Sequence, residues 1–137
     1  MKTHSEEETR RIGHDFAQSL KGGDVVLLYG DLGAGKTVFV RGVGEAFGIS
    51  GVRSPSFTLI NEYEASSGLL IVHADLYRLD PDGVITVGLE EYAGDDDVIL
   101  FVEWPERWVN PPDDAVRVYF SALTENEREI RIEGASS

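Results

Sequence analysis

The sequence contains no cysteine, which excludes disulfides, thiolate metal sites and cysteine nucleophiles together. Positive charge is also scarce: 12 lysine and arginine residues stand against 25 aspartate and glutamate residues, a formal net charge of −13. Electrostatic gripping of nucleic acid needs a basic surface that displaces counterions, so direct binding of this kind is not expected. Docking on a basic protein surface stays open. No apolar run approaches membrane-spanning length, and the charged start Met1-Lys2-Thr3-His4-Ser5-Glu6-Glu7-Glu8 leads into no signal-peptide core. A cytoplasmic protein without membrane contact is the expectation. No guanine-reading N-K-x-D motif occurs, which argues against a GTPase.

What the chain does have is Gly30-Asp31-Leu32-Gly33-Ala34-Gly35-Lys36-Thr37, the G-x-x-x-x-G-K-T pattern of a phosphate-binding loop. Glycines let successive backbone N–H groups turn inward on an anion. Lys36 offers a compact charge to the β and γ phosphates, and the Thr37 hydroxyl a ligand to Mg²⁺. Context decides whether such a pattern is real. Val25-Val26-Leu27-Leu28-Tyr29 before it suits a buried strand. The run Val38 to Phe47 after it carries Phe39, Val43 and Phe47 at helical spacing, with Gly48 as a stop. Strand, glycine loop and helix is the setting the motif requires.

At 137 residues and 42% hydrophobic content, the chain is expected to be one α/β domain spanning residues 1–137. Ser5 with Glu8 predicts a capped helix start, with Ile12, Phe16 and Leu20 on one face and Gly22-Gly23 ending it. Thr9, in its first turn, is a candidate nucleotide neighbour weighed against simple solvated polarity. Strands are expected from Phe57 to Tyr63, over Leu69 to Val72, and over Val98 to Val102. Val116, Val118 and Phe120, then Ile130 and Ile132, predict a terminal β-hairpin.

A P-loop needs an acidic partner for Mg²⁺, and two carboxylates follow apolar strands: Glu103 and Asp75. The spacing leaves their roles open. The preferred assignment puts Glu103 at the metal with Thr37 and Asp75 nearer the γ phosphate, where it orients water. His73 reads as a packed histidine rather than a base. Trp104 suits the core and a stacking position near the nucleotide equally. Arg41, Arg53, Arg78 and Arg107 are candidate phosphate contacts, each weighed against a surface or ion-paired arginine.

Four blocks together resemble the TsaE (formerly YjeE) family of small bacterial P-loop ATPases. They are the GDLGAGKT loop with Arg41-Gly42, Ser54-Pro55-Ser56-Phe57-Thr58, the run His73 to Leu79, and Val102-Glu103-Trp104-Pro105; Thr9 and Gly13 add to them. The resemblance covers about residues 5 to 108. It implies a P-loop NTPase-like domain, with a central mixed sheet, flanking helices and Mg²⁺-ATP bound by Thr9, the loop, Val38 and Trp104. It also implies Lys36, Asp75 and Glu103 as catalytic residues, and residues 54–58 as a nucleotide-sensing switch. The implied activity is slow ATP hydrolysis to ADP, needed for turnover of a TsaB–TsaD complex that makes N6-threonylcarbamoyladenosine in tRNA. In that picture tRNA is met only through the complex. Val38 and Ser56 stand where many relatives have threonine. A small-molecule P-loop kinase and a nucleotide-gated binding protein with negligible hydrolysis are the alternative readings.

Overall fold

Apolar runs that can leave neither face in water become the middle of the molecule. The computed structural model describes residues 1–31, 35–52, 60–77, 88–108 and 110–134. The apolar runs form β2 (Val25–Tyr29), β4 (Leu70–Asp75) and β5 (Val98–Glu103). Every residue of β5 is buried, its terminal carboxylate included. With β6 (Val116–Ala122) these strands make a parallel centre in the order β6-β2-β5-β4.

Antiparallel strands finish both edges. β3 (Ile60–Glu64) pairs with β4, β7 (Arg128–Glu133) pairs with β6, and β1 (Lys2–Thr3) pairs with β7. The result is one seven-stranded mixed sheet in the order β1-β7-β6-β2-β5-β4-β3. The mixed sheet and terminal hairpin agree with expectation. β1 was not expected, because two residues are too few for alternation to register.

One face is covered by α1 (Glu6–Phe16) and α2 (Lys36–Ala46). Phe39 is fully buried there, with its ring 5.4 Å from Phe16 and 5.3 Å from Phe120. The two helices cross almost backbone to backbone. A Cβ on Gly13 would strike the Phe39 carbonyl oxygen, and one on Gly42 the Arg10 carbonyl oxygen. The opposite face is covered by α3 (Leu89–Ala93) and by Trp108, whose Nε1 donates to Glu90 Oε1 at 3.1 Å.

Several boundaries differ from the sequence reading. The first helix ends at Phe16, and a 3-10 turn over Ala17–Ser19 carries the chain to Leu20, which still packs on the core. Ser5 caps that helix by accepting from the Glu8 N–H, but the Glu8 carboxylate accepts from His4 N–H rather than from the cap residue. β4 runs on to Asp75, because pairing with β5 continues to the last residue of each strand. The helix after the loop starts earlier than Val38, at Lys36 itself. β3 starts at Ile60 among the described residues; the expected strand residues 57–59 lie outside them.

Candidate nucleotide-binding site

The site lies at the C-terminal edge of the parallel strands, where open α/β sheets gather ligand groups. β2 delivers Gly30 in a left-handed conformation (φ 144°), with the Phe120 backbone so close that a side chain would not fit. Gly35, also left-handed (φ 102°), is the N-cap of α2 and makes no side-chain cap. The first-turn N–H groups of α2 and its positive dipole end therefore face the site without a competing side chain. Asp31 is exposed, and Leu32, Gly33 and Ala34 lie outside the described residues.

Lys36 is not a mobile loop lysine but the first residue of α2, only 3% exposed. Its ammonium donates to the Gly30 carbonyl oxygen at 2.5 Å, lies 3.7 Å from Glu103 Oε1 and stands 4.8 Å from the Trp104 ring centroid. The chain itself supplies the partners that a phosphate would otherwise provide.

Asp75 and Glu103 are register partners at the ends of adjacent parallel strands, so both carboxylates project from the same face beside the loop. Their electrostatics diverge. Burial pushes the Asp75 carboxyl above its ordinary value and Glu103 repels it further, while the Tyr77 N–H, Lys36 and His73 oppose the shift. For Glu103, burial pulls in the same direction but is outweighed by the hydrogen bond and charge of His73 and by Lys36. Its pKa falls below the ordinary value, so Glu103 is the firmly ionised member of the pair.

Thr9 is buried rather than solvated, with its hydroxyl 2.9 Å from that of Thr3 and its methyl group beside Gly35. Trp104 turns the chain sharply in a left-handed conformation (φ 58°) and packs on both Lys36 and Tyr77. It packs against the core, and its contact with the site runs through Lys36. His73 is packed as expected, yet its Nε2 lies 2.5 Å from Glu103 Oε2. Arg41 and Arg107 are exposed and do not line the site, and Arg53, Arg78 and the whole segment from Ser54 through Pro55, Ser56 and Phe57 to Thr58 lie outside the described residues.

A cavity of about 420 Å³ joins these groups, lined by Thr9, Gly35, Lys36, Thr37, Val38, Asp75 and Glu103. Its far wall is made by Ser5 and Glu6 and by Glu125, Asn126 and Arg128 of the terminal hairpin turn. Arg128 braces that turn by donating to the carbonyls of Thr124, Glu125 and Glu127. Sequence reasoning missed this wall, because nothing local in a polar turn says what it faces.

Four lining carboxylates (Glu6, Asp75, Glu103 and Glu125) outnumber the two lining cations, Lys36 and Arg128. A polyphosphate entering alone would meet net repulsion, and a divalent cation would relieve it. Among the described residues no cluster of three or more His, Asp or Glu side chains forms a metal cage. Such a cluster is not a requirement for Mg²⁺, which is commonly held by one or two protein oxygens together with phosphates and water. Thr37 and Glu103 are the residues that can provide them.

With the geometry in hand, a family model described as "Threonylcarbamoyl adenosine biosynthesis protein TsaE" matches residues 3–130. The chain belongs to the TsaE family. The "tRNA threonylcarbamoyladenosine biosynthesis protein TsaE" of Aquifex aeolicus is 46% identical to it, covering 93% of this chain and 90% of that protein. The Bacillus subtilis protein of the same name is 39% identical, covering 94% of this chain and 81% of the relative. The crystal structure of Bacillus subtilis YdiB superposes with a TM-score of 0.74 at 35% identity, over 95% of this chain and 80% of the other. The TsaE match takes in β6, the turn that walls the cavity and the first half of β7.

Proposed function

We propose that this chain is a Mg²⁺-dependent ATPase that acts as an accessory factor in tRNA threonylcarbamoyladenosine biosynthesis, associating with TsaB and TsaD according to its nucleotide state. The observation that carries this reading is the convergence in one cavity of the α2 N-terminus, Lys36 and Thr37 with two register-paired carboxylates of opposite pKa tendency. Phosphates sit over the loop and Lys36, which exchanges Gly30 and Glu103 for phosphate oxygens. Thr37 and Glu103 are the residues that would hold Mg²⁺, which would supply positive charge against the phosphates. Asp75, whose pKa is raised, is the more basic carboxylate and the one suited to orient the attacking water and take its proton. The cavity leaves room for the nucleoside between α1 and the hairpin turn. The net acidity of the chain fits docking on a protein partner better than on tRNA.

The test is ATP affinity with and without Mg²⁺, together with single-turnover hydrolysis, for the wild type, Glu103→Ala and Asp75→Ala, alone and with TsaB–TsaD. Glu103→Ala should lose the Mg²⁺-dependent part of binding and hydrolysis with it. Asp75→Ala should keep binding and lose turnover. Hydrolysis should be slow alone and faster with partners, since an arginine finger can come from another chain. Association that follows the nucleotide without any hydrolysis would leave a nucleotide-gated binder instead. If neither variant changes either quantity, the reading fails.

A further inference from the structure

One polar side chain at the site holds no ligand itself, and its surroundings are unusual. His73 is completely buried on β4, on the same face as Asp75 and one pleat deeper, opposite Phe101 of β5. From there its Nε2 reaches Glu103 Oε2 at 2.5 Å, while Glu103 Oε1 faces Lys36. The two oxygens of this carboxylate therefore have different duties: one is tied to the interior and the other is turned toward the loop.

We infer that His73 is a positioning residue that clamps Glu103 and so sets how strongly Mg²⁺ assists nucleotide binding. The inference rests on the assignment of Glu103 to the metal. A glutamate side chain has three torsions, and in an open site its oxygens would spread over several directions. The bond from His73 fixes the terminal torsion from a rigid central strand, so that Oε1 is presented to the loop before ligand arrives.

The other ring nitrogen supports this role. Nδ1 is buried and has no hydrogen-bond partner among the described residues. A buried polar atom left unsatisfied is unfavourable, and an apolar side chain of similar volume would avoid that cost. Packing alone gives no reason for a histidine here. The bond to Glu103 does.

The test measures ATP affinity by calorimetry, with Mg²⁺ and with EDTA, for the full chain carrying His73→Leu, His73→Asn or His73→Gln. Thermal midpoints read alongside establish that each variant is folded. Leucine cannot donate to Glu103, and asparagine, one methylene shorter than glutamine, does not reach it. Both should lose about tenfold or more of the Mg²⁺-dependent gain, the scale of lost outer-shell partners, with affinity in EDTA nearly unchanged. Glutamine can still donate to Glu103 and should recover most of the gain. If leucine does not fold, the contrast between asparagine and glutamine decides. A full Mg²⁺ effect in the asparagine variant would overturn the inference, as would equal losses with Mg²⁺ and EDTA, which mark a merely structural histidine. Glu103→Ala separates the two levels. If it too keeps the Mg²⁺ effect, the metal assignment of Glu103 fails; if it alone abolishes the effect, only the role of His73 does.

Discussion

Lys36→Ala is expected to do two things at once: abolish nucleotide binding and destabilise the empty fold. A loop lysine waiting for ligand would cause only the first. Here the ammonium is buried, donates to Gly30 at 2.5 Å, neighbours Glu103 at 3.7 Å and stands over Trp104 at 4.8 Å. A charge-assisted hydrogen bond contributes about 1.5–3 kcal/mol and a desolvated cation–π contact up to about 2 kcal/mol. Removing one partner of a buried ion pair costs about 3–5 kcal/mol when the other charge is left alone. These costs overlap rather than add, and His73 remains on the far oxygen of Glu103. The net expectation is a loss of about 2–4 kcal/mol, or roughly 10 °C in thermal midpoint for a domain of this size. The assay is urea and thermal unfolding of wild type, Lys36→Ala, Glu103→Gln and the double variant, without nucleotide. Neutralising the orphaned carboxylate should return at least about 1 kcal/mol, making the double variant more stable than the sum of the singles predicts. A Lys36→Ala midpoint equal to wild type, or strict additivity in the cycle, would refute the reasoning.

Two further perturbations follow from the fold and its electrostatics. Burial raises the Asp75 pKa, so its charged form costs more in the folded state than in the unfolded chain. The stability this contributes is present below the unfolded pKa and lost as pH rises through the folded one. Asp75→Asn should therefore be more stable than wild type at neutral pH, with the gap closing as pH falls through the carboxylate range. Thermal midpoints against pH check this, and a wild type that is the more stable at neutral pH would count against it. Gly42→Ala places a methyl group against the Arg10 carbonyl at the α1–α2 crossing, where backbone cannot move aside as a side chain would. It should cost at least about 2 kcal/mol in urea unfolding, and a change within error of zero would mean that the helices separate freely.

The amino-acid sequence by itself determined the parts whose physics is local. The Gly30 to Thr37 motif was legible, because glycine spacing and the flanking periodicities lie within one stretch of chain. The buried strands were legible as unbroken apolar runs, and Asp75 and Glu103 were legible as carboxylates ending them. Tertiary structure alone decided how those parts meet. Register between β4 and β5 sets the two carboxylates side by side and brings His73, thirty positions away, onto Glu103. The β6–β7 pairing swings Glu125, Asn126 and Arg128 across from α2, and β1 brings Thr3 to Thr9. Lys36 looked like a loop residue because burial depends on what the rest of the chain places over it. Strand register and the closeness of helix crossings are set by long-range pairing and by volume. Neither leaves a periodicity along the chain.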